Sequence, residues 1–441
     1  MKIIIVGAGI SGLSTYLHLR KHLSPSHTIT IYESHKPRSS SLPTTATPAE
    51  LNLENLSAST TLVGGGLGVS PNGMRVLYDL DPELHDAVVA QGFPAEHFIF
   101  KGANGWTLGK QKTSDRSVRK TGKEEFCVSS SRHGLWEALL KSVGEGIIQY
   151  KKVLGIVRNE NQKKIFVKLV DAEGNEENDV ADLVIGADGI RSVVRTALFG
   201  DGDKFKPVYT GQSGVGGFLK EPIPAFVADN KAMIFTFGGN GFFGYSSSGP
   251  TDAKSLMWWS TFETSSLPAK QAIDTDAIKE ALRKRHQHWN DPIIQNIIQK
   301  AEVQSIYPTY VLDIDNMPNW GELGMVLVGD AAHAMDPTTG QGASQALEDS
   351  QTLSLLLAEC LKRGEHGELD GSEAISLALK LYYEIRNPRV REIVERGKKI
   401  AGNKANVGVV MEYFMYFFLW LLNRFPAVGK FFGACLHKIR Y

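Results

Sequence analysis

The feature that most limits the possible folds of this chain is a glycine-rich turn close to its start. The apolar run Ile3–Val6 leads directly into Gly7-Ala-Gly-Ile-Ser-Gly12, and the residues up to Leu23 then follow helical apolar spacing. A second β run, Thr28–Tyr32, ends at Glu33. A strand, a glycine turn, a helix and a second strand in this order predict a parallel βαβ unit, and therefore an α/β fold.

Each glycine of this turn has a separate physical role. Gly7 permits the tight turn, Gly9 lets the backbone approach a pyrophosphate, and Gly12 allows the helix to pack closely on the strand. The helix N-terminus offers unpaired N–H groups and the positive end of its dipole to phosphates. Glu33 lies 21 residues after Gly12, where a carboxylate accepts hydrogen bonds from ribose hydroxyls. These features predict an adenine dinucleotide site without naming the dinucleotide.

Two later segments also place a carboxylate directly after a buried β run. Asp188 follows residues 182–187, at the strand end where ligands bind in open α/β sheets, although Asp-Gly is also an ordinary turn dipeptide. Asp330 follows the run that begins at Met325, and residues 331–342 form a Pro/Gly-rich turn before a helix that extends to about Leu361. Bare backbone amides in such a turn suit an anionic or electron-rich ring edge.

The three motifs in this order resemble the single-component flavin-dependent aromatic hydroxylases of the para-hydroxybenzoate hydroxylase superfamily, and in particular the fungal salicylate-hydroxylase-like monooxygenases. The resemblance covers roughly residues 1–400. It implies an α/β fold in which a discontinuous Rossmann-like FAD-binding domain carries an inserted β-sheet substrate domain and C-terminal helices. The expected bounds are 1–80, 127–203 and 313–361 for the FAD-binding domain, 81–126 and 204–312 for the substrate domain, and 362–441 for the C-terminal helical region.

The same resemblance assigns cofactor-binding roles to individual residues. It implies that Asp188 belongs to the segment that serves FAD and the pyridine nucleotide, and that Asp330 binds the ribityl or pyrophosphate part of FAD. Arg132, within Ser131-Arg-His-Gly-Leu135, would lie near the ribityl-pyrophosphate region. The remaining implied contacts are the adenosine and pyrophosphate end for Gly7, Gly9, Gly12 and Glu33, and the isoalloxazine ring for Pro337, Gly340 and Gly342.

The chemistry that the resemblance implies is that of a monooxygenase. NAD(P)H reduces FAD, O₂ adds to form a flavin hydroperoxide, and one oxygen is transferred to an electron-rich aromatic, phenolic or polycyclic substrate, here in secondary metabolism. The cofactor carries this chemistry while the protein positions it and excludes water. No Ser/His/Asp or paired-carboxylate arrangement stands out. We interpret His333 as structural, and we predict that His286 and His288, on a charged helix, are solvated.

The substrate pocket is expected within the β-rich insert. Tyr209 is the candidate catalytic residue, because family members often have a tyrosine near this strand. Salicylate- and urate-type relatives often carry an arginine a few residues further on, where this chain has Gly216. The substrate is therefore expected to be larger and less charged, phenolic or polycyclic. Further aromatic candidates, most of which would simply be core residues, are Phe218, Phe235, Phe237, Phe243, Tyr245 and Trp258.

Other functions remain open at this point. A flavin-dependent epoxidase or reductase acting on an isoprenoid or alkaloid would share the fold. A flavin halogenase would carry a Trp-x-Trp-x-Ile-Pro motif, which Trp258-Trp259 does not match. A nucleotide-sensing binding protein would use the βαβ unit alone. That interpretation does not explain the Pro/Gly-rich turn at residues 331–342.

Composition excludes several classes of partner. Lys plus Arg and Asp plus Glu both number 48, so no net field favours nucleic acid. The three cysteines, Cys127, Cys360 and Cys435, lie far apart and have no metal-ligand spacing. They fit free thiols in a reducing compartment. We therefore expect a cytoplasmic protein with a small-molecule substrate and no metal site.

The C-terminal segment is unusually aromatic. Ten of the 29 residues from Tyr413 to Tyr441 are Phe, Tyr or Trp, and none is acidic. The basic residues there are Arg424, Lys430, Lys438 and Arg440. Three interpretations of residues 405–441 stay open: a helix pair docked on the flavin domain, peripheral contact with a membrane, or a membrane anchor, against which Glu412 argues.

Overall fold

The computed structural model describes residues 1–36, 65–114, 124–159, 163–264, 274–301, 303, 305–365, 368–401 and 408–424. The strands of these residues are β1 (Lys2–Val6), β2 (Thr28–Tyr32), β3 (Gly66–Val69), β4 (Phe93–Ala95), β5 (His97–Gly102), β6 (Thr107–Lys112), β7 (Cys127–Ser131), β8 (Ile148–Gln149), β9 (Lys152–Asn159), β10 (Lys164–Val170), β11 (Glu176–Ala181), β12 (Leu183–Gly186), β13 (Val208–Leu219), β14 (Ala232–Gly238), β15 (Gly241–Ser247), β16 (Leu256–Glu263), β17 (Ser305–Val311), β18 (Gly321–Glu322) and β19 (Met325–Leu327).

The helices of the same residues separate these strands. They are α1 (Ile10–His22), α2 (Pro71–Leu80), α3 (Pro82–Gln91), α4 (Arg132–Val143), α5 (Val193–Phe199), α6 (Ala225–Asn230), α7 (Thr275–His286), α8 (Pro292–Lys300), α9 (Asp330–His333), α10 (Gly342–Glu365), α11 (Gly371–Ala401) and α12 (Val409–Arg424). Short 3₁₀ turns include Gly189–Arg191 and Pro337–Thr339.

A six-stranded sheet carries the ends of all three predicted motifs. Its order is β18-β19-β12-β1-β2-β8, and β1 pairs in parallel with both β2 and β12, while β12 pairs in parallel with β19. Ile3, Ile4 and Ile5 are fully buried, as expected for a parallel strand that helices cover on both faces. Since parallel strands end at the same edge, the turns after β1, β12 and β19 lie together there. The predicted βαβ unit and α/β fold class are confirmed.

A seven-stranded sheet forms the second layer, in the order β17-β13-β16-β15-β14-β5-β6. Its pairs are antiparallel except for β14 with β5. The sheet contains two antiparallel hairpins, β5–β6 and β14–β15. Two three-stranded sheets complete the described strands, β3-β7-β4 and β11-β10-β9.

One face of the seven-stranded sheet is covered by helices α7 and α8. Phe243, Tyr245 and Trp258 project to this side and are almost completely buried in one core cluster together with Ile294 and Ile297 of α8. These three aromatic residues are therefore core residues and lie away from the opposite face of the sheet.

The prediction that His286 is solvated is wrong. His286 is fully buried, and its ring meets Phe243 edge-on at 5.3 Å and Trp289 at 4.5 Å between ring centroids. Helix α7 is mostly charged, but His286 occupies the position that turns towards the sheet. His288, just beyond the helix, is exposed as expected.

The last described helix, α12, docks on the outer strands of the seven-stranded sheet. Tyr416 packs in one cluster with Leu108 of β6, Phe237 of β14 and Phe242 of β15. Residues 409–424 therefore dock on the inserted sheet, and not on the flavin domain as the first interpretation expected. Among the described helices, none is long and apolar enough to cross a membrane. Residues 425–441, which include Cys435, lie outside the described part of the chain.

Candidate active site

The glycine turn after β1 has room for a ligand on one side only. Gly7 has a φ of +100°, and a Cβ there would lie 2.5 Å from the carbonyl oxygen of Ala187. A Cβ on Gly12 would collide with the carbonyl oxygen of Gly7, whereas one on Gly9 would meet no atom within 4 Å. Gly7 and Gly12 are thus required by packing, and Gly9 faces open space at the start of α1. This arrangement fits the pyrophosphate of a dinucleotide.

Glu33 lies beside this turn, at the end of β2. Its Oε2 accepts a hydrogen bond of 2.8 Å from the amide of Ala8, and its Oε1 accepts one of 3.0 Å from the amide of His35. The amide of Gly7 donates to the carbonyl of Tyr32 at 2.7 Å, which fixes the two strand ends relative to each other. The carboxylate therefore stands where the sequence motif places a ribose contact.

The third motif contacts the first through Gly329. This glycine has a φ of +60°, and a Cβ would collide with Ser11 Oγ at the start of α1 and approach Ala346 Cβ to 3.3 Å. Only glycine combines this backbone conformation with such close approach. Since Gly7 also lies against Ala187 and Asp188, the structure brings the turns after β1, β12 and β19 together as predicted.

Asp188 is engaged by its own turn. Its Oδ2 accepts hydrogen bonds from the amides of Val193 at 2.7 Å and Val194 at 3.3 Å, at the start of α5. Burial raises the pKa of this carboxyl above its usual value. Asp188 lies next to Gly7, so the second motif adjoins the glycine turn. A contact between the Asp188 side chain and FAD stays a prediction.

Arg195 links the second motif to the third, and sequence reasoning missed it. The side chain is almost fully buried, and it donates to three carbonyl oxygens: Ala331 at 2.9 Å, Ile190 at 2.5 Å and Phe205 at 3.0 Å. Burial lowers the pKa of the guanidinium. The sequence does contain a signal for this residue, because the arginine follows two valines directly after the Ser192 cap. An arginine in such an apolar run is expected to be buried, and a buried cation needs several hydrogen-bond acceptors.

His333 is structural, as we interpreted it. Its Nε2 lies 2.5 Å from Asp349 Oδ2, which also accepts from the amide of Gly329 at 2.9 Å. Arg386 donates to Asp349 Oδ1 at 2.8 Å and to Gln345 Oε1 at 2.6 Å. Burial alone would raise the pKa of Asp349, but His333 and Arg386 together lower it to about 2. A buried charge cluster therefore holds α9 and the turn after β19 against α10 and α11.

The turn at residues 337–342, which is predicted to contact the isoalloxazine ring, is hydrogen-bonded to the start of helix α2. Gln341 Nε2 donates to Ser70 Oγ at 3.0 Å, and Asn72 Nδ2 donates to Gln341 Oε1 at 3.2 Å. The amide of Ser70 donates to Ser344 Oγ at 3.0 Å. Pro337 and Gly340 are exposed, and Gly342 is half-buried. The turn thus offers its backbone to a ligand while its side chains bind the start of α2.

Arg132 is the first residue of α4. Its amide donates to the carbonyl of Gly65 at 3.1 Å, and its side chain is exposed. Trp136, one helical turn later, donates from Nε1 to the carbonyl of Ala8 at 2.8 Å, which ties α4 to the glycine turn. The guanidinium of Arg132 is therefore carried on a helix that contacts the predicted pyrophosphate site.

The face of the seven-stranded sheet opposite α7 and α8 carries a half-open aromatic row. Gly216, Trp259, Gly244, Phe235 and Phe100 lie opposite one another on five neighbouring strands, so they share one face. The rings of Phe235 and Trp259 meet edge-on at 5.9 Å, and Trp259 lies over Gly244, where a Cβ would collide with its ring. All three aromatic residues of this row are only half-buried. We call these five residues the aromatic row.

The rows on either side of the aromatic row are covered. Met257 lies against Gly66 of β3 on one side, where a Cβ on the glycine would collide with the methionine sulfur. On the other side Phe237 and Phe242 are covered by Tyr416 of α12. Because β3 runs directly into Ser70, which binds the turn at residues 337–342, the aromatic row lies near the predicted flavin ring.

Tyr209 does not join the aromatic row. Its hydroxyl lies 3.1 Å from Ser213 Oγ and donates to the carbonyl of Thr264 at 3.3 Å. Ser213 is opposite Phe262, whose ring packs under the Arg285 guanidinium of α7 at 3.6 Å. The hydroxyl is thus on the helix-covered side of β13. The catalytic role of Tyr209 stays a prediction.

The fold and the glycine turn define a dinucleotide-binding α/β protein. Residues 144–396 match the family model described as "FAD binding domain", and the chain belongs to this family. The match includes the second and third motifs, and FAD as the predicted cofactor is confirmed by it. The glycine turn at residues 7–12 lies outside the matched range.

Similar proteins include several flavin enzymes. The zeaxanthin epoxidase of Nicotiana plumbaginifolia is 33% identical over 59% of this chain, and the match spans only 36% of that epoxidase. The "FAD-dependent monooxygenase sor5" of Hypocrea jecorina is 25% identical over 91% of this chain and 84% of its own length. The prediction that the chain belongs among FAD-dependent monooxygenases is confirmed at the level of the family.

The fold itself matches solved structures. The Klebsiella pneumoniae HpxO structure, described as a complex with FAD and uric acid, has a TM-score of 0.72, with 21% identity, and the match covers 95% of this chain and 92% of HpxO. The α/β fold with a Rossmann-like FAD-binding part and an inserted β-sheet is confirmed. The exact domain bounds and the individual site residues stay predictions.

Proposed function

We propose that this protein is an FAD-dependent monooxygenase that uses NAD(P)H and O₂ to hydroxylate an electron-rich aromatic, phenolic or polycyclic compound of low charge. The observation that carries this proposal is the uncharged aromatic row beside the segment that binds the turn at residues 337–342. The described residues of this sheet face, in the three rows around Trp259, include no charged side chain.

The residues that would hold FAD are those of the three motifs. The open space at Gly9 would receive the pyrophosphate, Glu33 the ribose, and the backbone of the turn at residues 337–342 the ring edge. Arg132 and Asp330 would approach the middle of the cofactor. When bound, FAD supplies the electron transfer from NAD(P)H and the activation of O₂.

The chain's own residues would position the substrate and keep water away. Phe235 and Trp259 present ring edges and faces to a flat molecule, an arrangement that is worth about 0.5–1.5 kcal/mol per aromatic pair beyond the buried area. Gly216, opposite Trp259, places no side chain where relatives of the salicylate type often carry an arginine. Without a cation on this face, a carboxylate substrate would lose its hydration with no compensating partner.

The test is substrate-dependent turnover of the purified protein. We expect a bound-flavin absorption spectrum, oxidation of NADPH that neutral phenols and polycyclic phenols stimulate, and one ¹⁸O atom from ¹⁸O₂ in the product. A Trp259→Leu variant should raise KM by about tenfold, because it removes the edge-on partner of Phe235. The control is Val157→Ala, at an exposed position of β9, which belongs to a different sheet. Peroxide as the only product with every compound would contradict the proposal.

A second candidate is epoxidation of an isoprenoid or alkaloid alkene. The similarity to zeaxanthin epoxidases favours it, and an uncharged face suits an apolar alkene equally well. Both reactions take up O₂, so the product distinguishes them: an epoxide from an alkene, or a hydroxyl group on an arene. A reductase would consume NADPH without O₂ uptake, and a nucleotide-sensing protein would bind FAD without any turnover.

A further inference from the structure

Helix α12 is attached to the sheet mainly by the side of the helix that carries Tyr416, and Tyr413 adds an edge-on contact with Trp106 at 5.9 Å between ring centroids. Tyr416, only 1% exposed, accepts a hydrogen bond from the amide of Ala103 at 2.8 Å and donates to the carbonyl of Phe237 at 2.7 Å. Met415 and Leu419 pack beside it, and the Glu412 carboxylate is an alternative acceptor for the single proton of the Tyr416 hydroxyl. These residues follow the spacing of one helix face, so α12 lies lengthwise along the sheet.

The outward side of α12 is apolar throughout. Val410 is 86% exposed, Phe414 63% and Phe417 56%. A surface helix normally presents charged residues to solvent, and here the only acidic or basic residues of the helix are Glu412, which faces Tyr416, and Arg424 at the end. The large apolar residues that this helix exposes are Val409, Val410, Met411, Tyr413, Phe414, Phe417, Phe418 and Trp420. A contiguous patch of this kind marks an interaction surface.

The local charge identifies the kind of partner. The chain as a whole has no net charge, yet residues 413–441 carry four basic residues and no acidic one. An aromatic-rich apolar helix beside basic residues is suited to the interface of an anionic bilayer, where aromatic rings lie at headgroup level and each Lys or Arg adds about 1 kcal/mol. A protein partner of the same apolar character would not make use of these cations.

We propose that the outward face of α12 docks on a lipid bilayer that contains anionic lipids. The helix would lie in the plane of the interface, because Tyr416 holds its opposite side on the sheet. The docked helix is about 10 Å thick, and its inner stripe covers Phe237 and Phe242, the row next to the aromatic row. The bilayer would therefore approach the substrate face to within about one helix diameter.

Vesicle flotation of the full-length protein tests this proposal. We expect the protein to float with phosphatidylcholine vesicles that contain phosphatidylserine, and to bind at least tenfold less to pure phosphatidylcholine. The triple variant Val410→Glu, Phe414→Glu, Phe417→Glu should reduce flotation at least tenfold. The matched control places glutamate at three exposed apolar positions elsewhere, Leu154, Val157 and Val208, and should float like the wild type.

Each other outcome overturns the proposal. Wild-type protein that stays with the soluble fraction at both lipid compositions would show that the patch has another occupant. The same holds for a triple variant that floats normally, and for a patch whose mutation only converts a dimer into a monomer in light scattering. If the triple variant does not fold, quenching of tryptophan fluorescence by brominated lipids, lost in Trp420→Phe, replaces it. Absence of quenching in the wild type would then exclude docking.

Discussion

At the scale of single residues, burial decides the behaviour of the histidines. His286 is enclosed by Phe243 and Trp289, its Nδ1 hydrogen bonds the carbonyl of Leu282 at 2.8 Å, and burial lowers its pKa to about 4. Burial, with His22 and Lys21 nearby, lowers the pKa of His18 to about 3. Both residues are therefore neutral at pH 7, whereas a solvated histidine titrates near 6.5.

This burial predicts a loss of stability in mild acid. The unfolded chain binds a proton at His286 with a pKa of 6.5 and the folded protein only at about 4, so the folded state loses stability as the pH falls from 6.5 towards 4. The full shift corresponds to about 3 kcal/mol. In urea unfolding at several pH values, His286→Gln should flatten this dependence, leaving the part due to His18. His288→Gln, at an exposed site, is the control, and an equal effect of both would contradict the assignment.

Asp349 is the residue on which the buried charge cluster depends. Asp349→Asn should lower the free energy of unfolding by about 3 kcal/mol, because Arg386 and His333 lose a buried charged partner. We also expect weaker FAD binding, since Asp349 accepts from the amide of Gly329. Glu359→Gln, in the exposed ion pair with Arg363, should change the free energy by less than about 1 kcal/mol. The native contribution of Asp349 is lost only as the pH falls from 3.8 towards 2.

At the scale of elements, short-range patterns are sufficient wherever one strand or turn determines the geometry. The strand β1, the glycine turn and helix α1 form where the spacing predicts them, and so does helix α10. Helix α7 shows the limit of such patterns. Its charges predict a solvated helix, and only its packing on β15 and β16 reveals that one side is buried.

The close contact between Gly329 and the start of helix α1 can be tested by substitution. Gly329→Ala should reduce FAD affinity at least tenfold, because the Cβ would displace Ser11 at the start of α1 in addition to straining a φ of +60°. Gly174→Ala is a matched control, with a φ of +88° and no atom within 4 Å of a Cβ. Its cost is about 1 kcal/mol of stability. Isothermal titration with FAD measures the difference, and equal affinities would refute the close-approach argument.

At the scale of the whole molecule, β3 and α12 enclose the aromatic row from opposite sides. The first leads through Ser70 to the turn at residues 337–342, and the second is held by Tyr416 across more than 170 residues of chain from Phe237. The site therefore depends on contacts between remote parts of the sequence. A change in the attachment of α12 is expected to reach the substrate face.

Tyr416→Phe tests that attachment. The variant removes the hydroxyl that bonds Ala103 and Phe237, which is worth about 1 kcal/mol, or roughly a fivefold faster opening of α12. Hydrogen exchange of the α12 amides measures this opening. Tyr413→Phe keeps the ring that packs on Trp106 and removes only a hydroxyl of the same helix, so it should leave the exchange unchanged. Equal exchange in the two variants would mean that apolar packing alone holds the helix.

The sequence by itself determined the fold class and the position of the dinucleotide turn, because each rests on residues close together in the chain with fixed steric roles, and the resemblance to a known family implied FAD. Gly7, Gly12 and the turn at residues 337–342 are of this kind. Only the tertiary structure decided that Arg195 joins two motifs, that His286 is buried, and that the Tyr209 hydroxyl faces away from the aromatic row. These properties arise from contacts between distant segments. Local spacing along the sequence does not specify the register of such segments or the face on which each side chain lies.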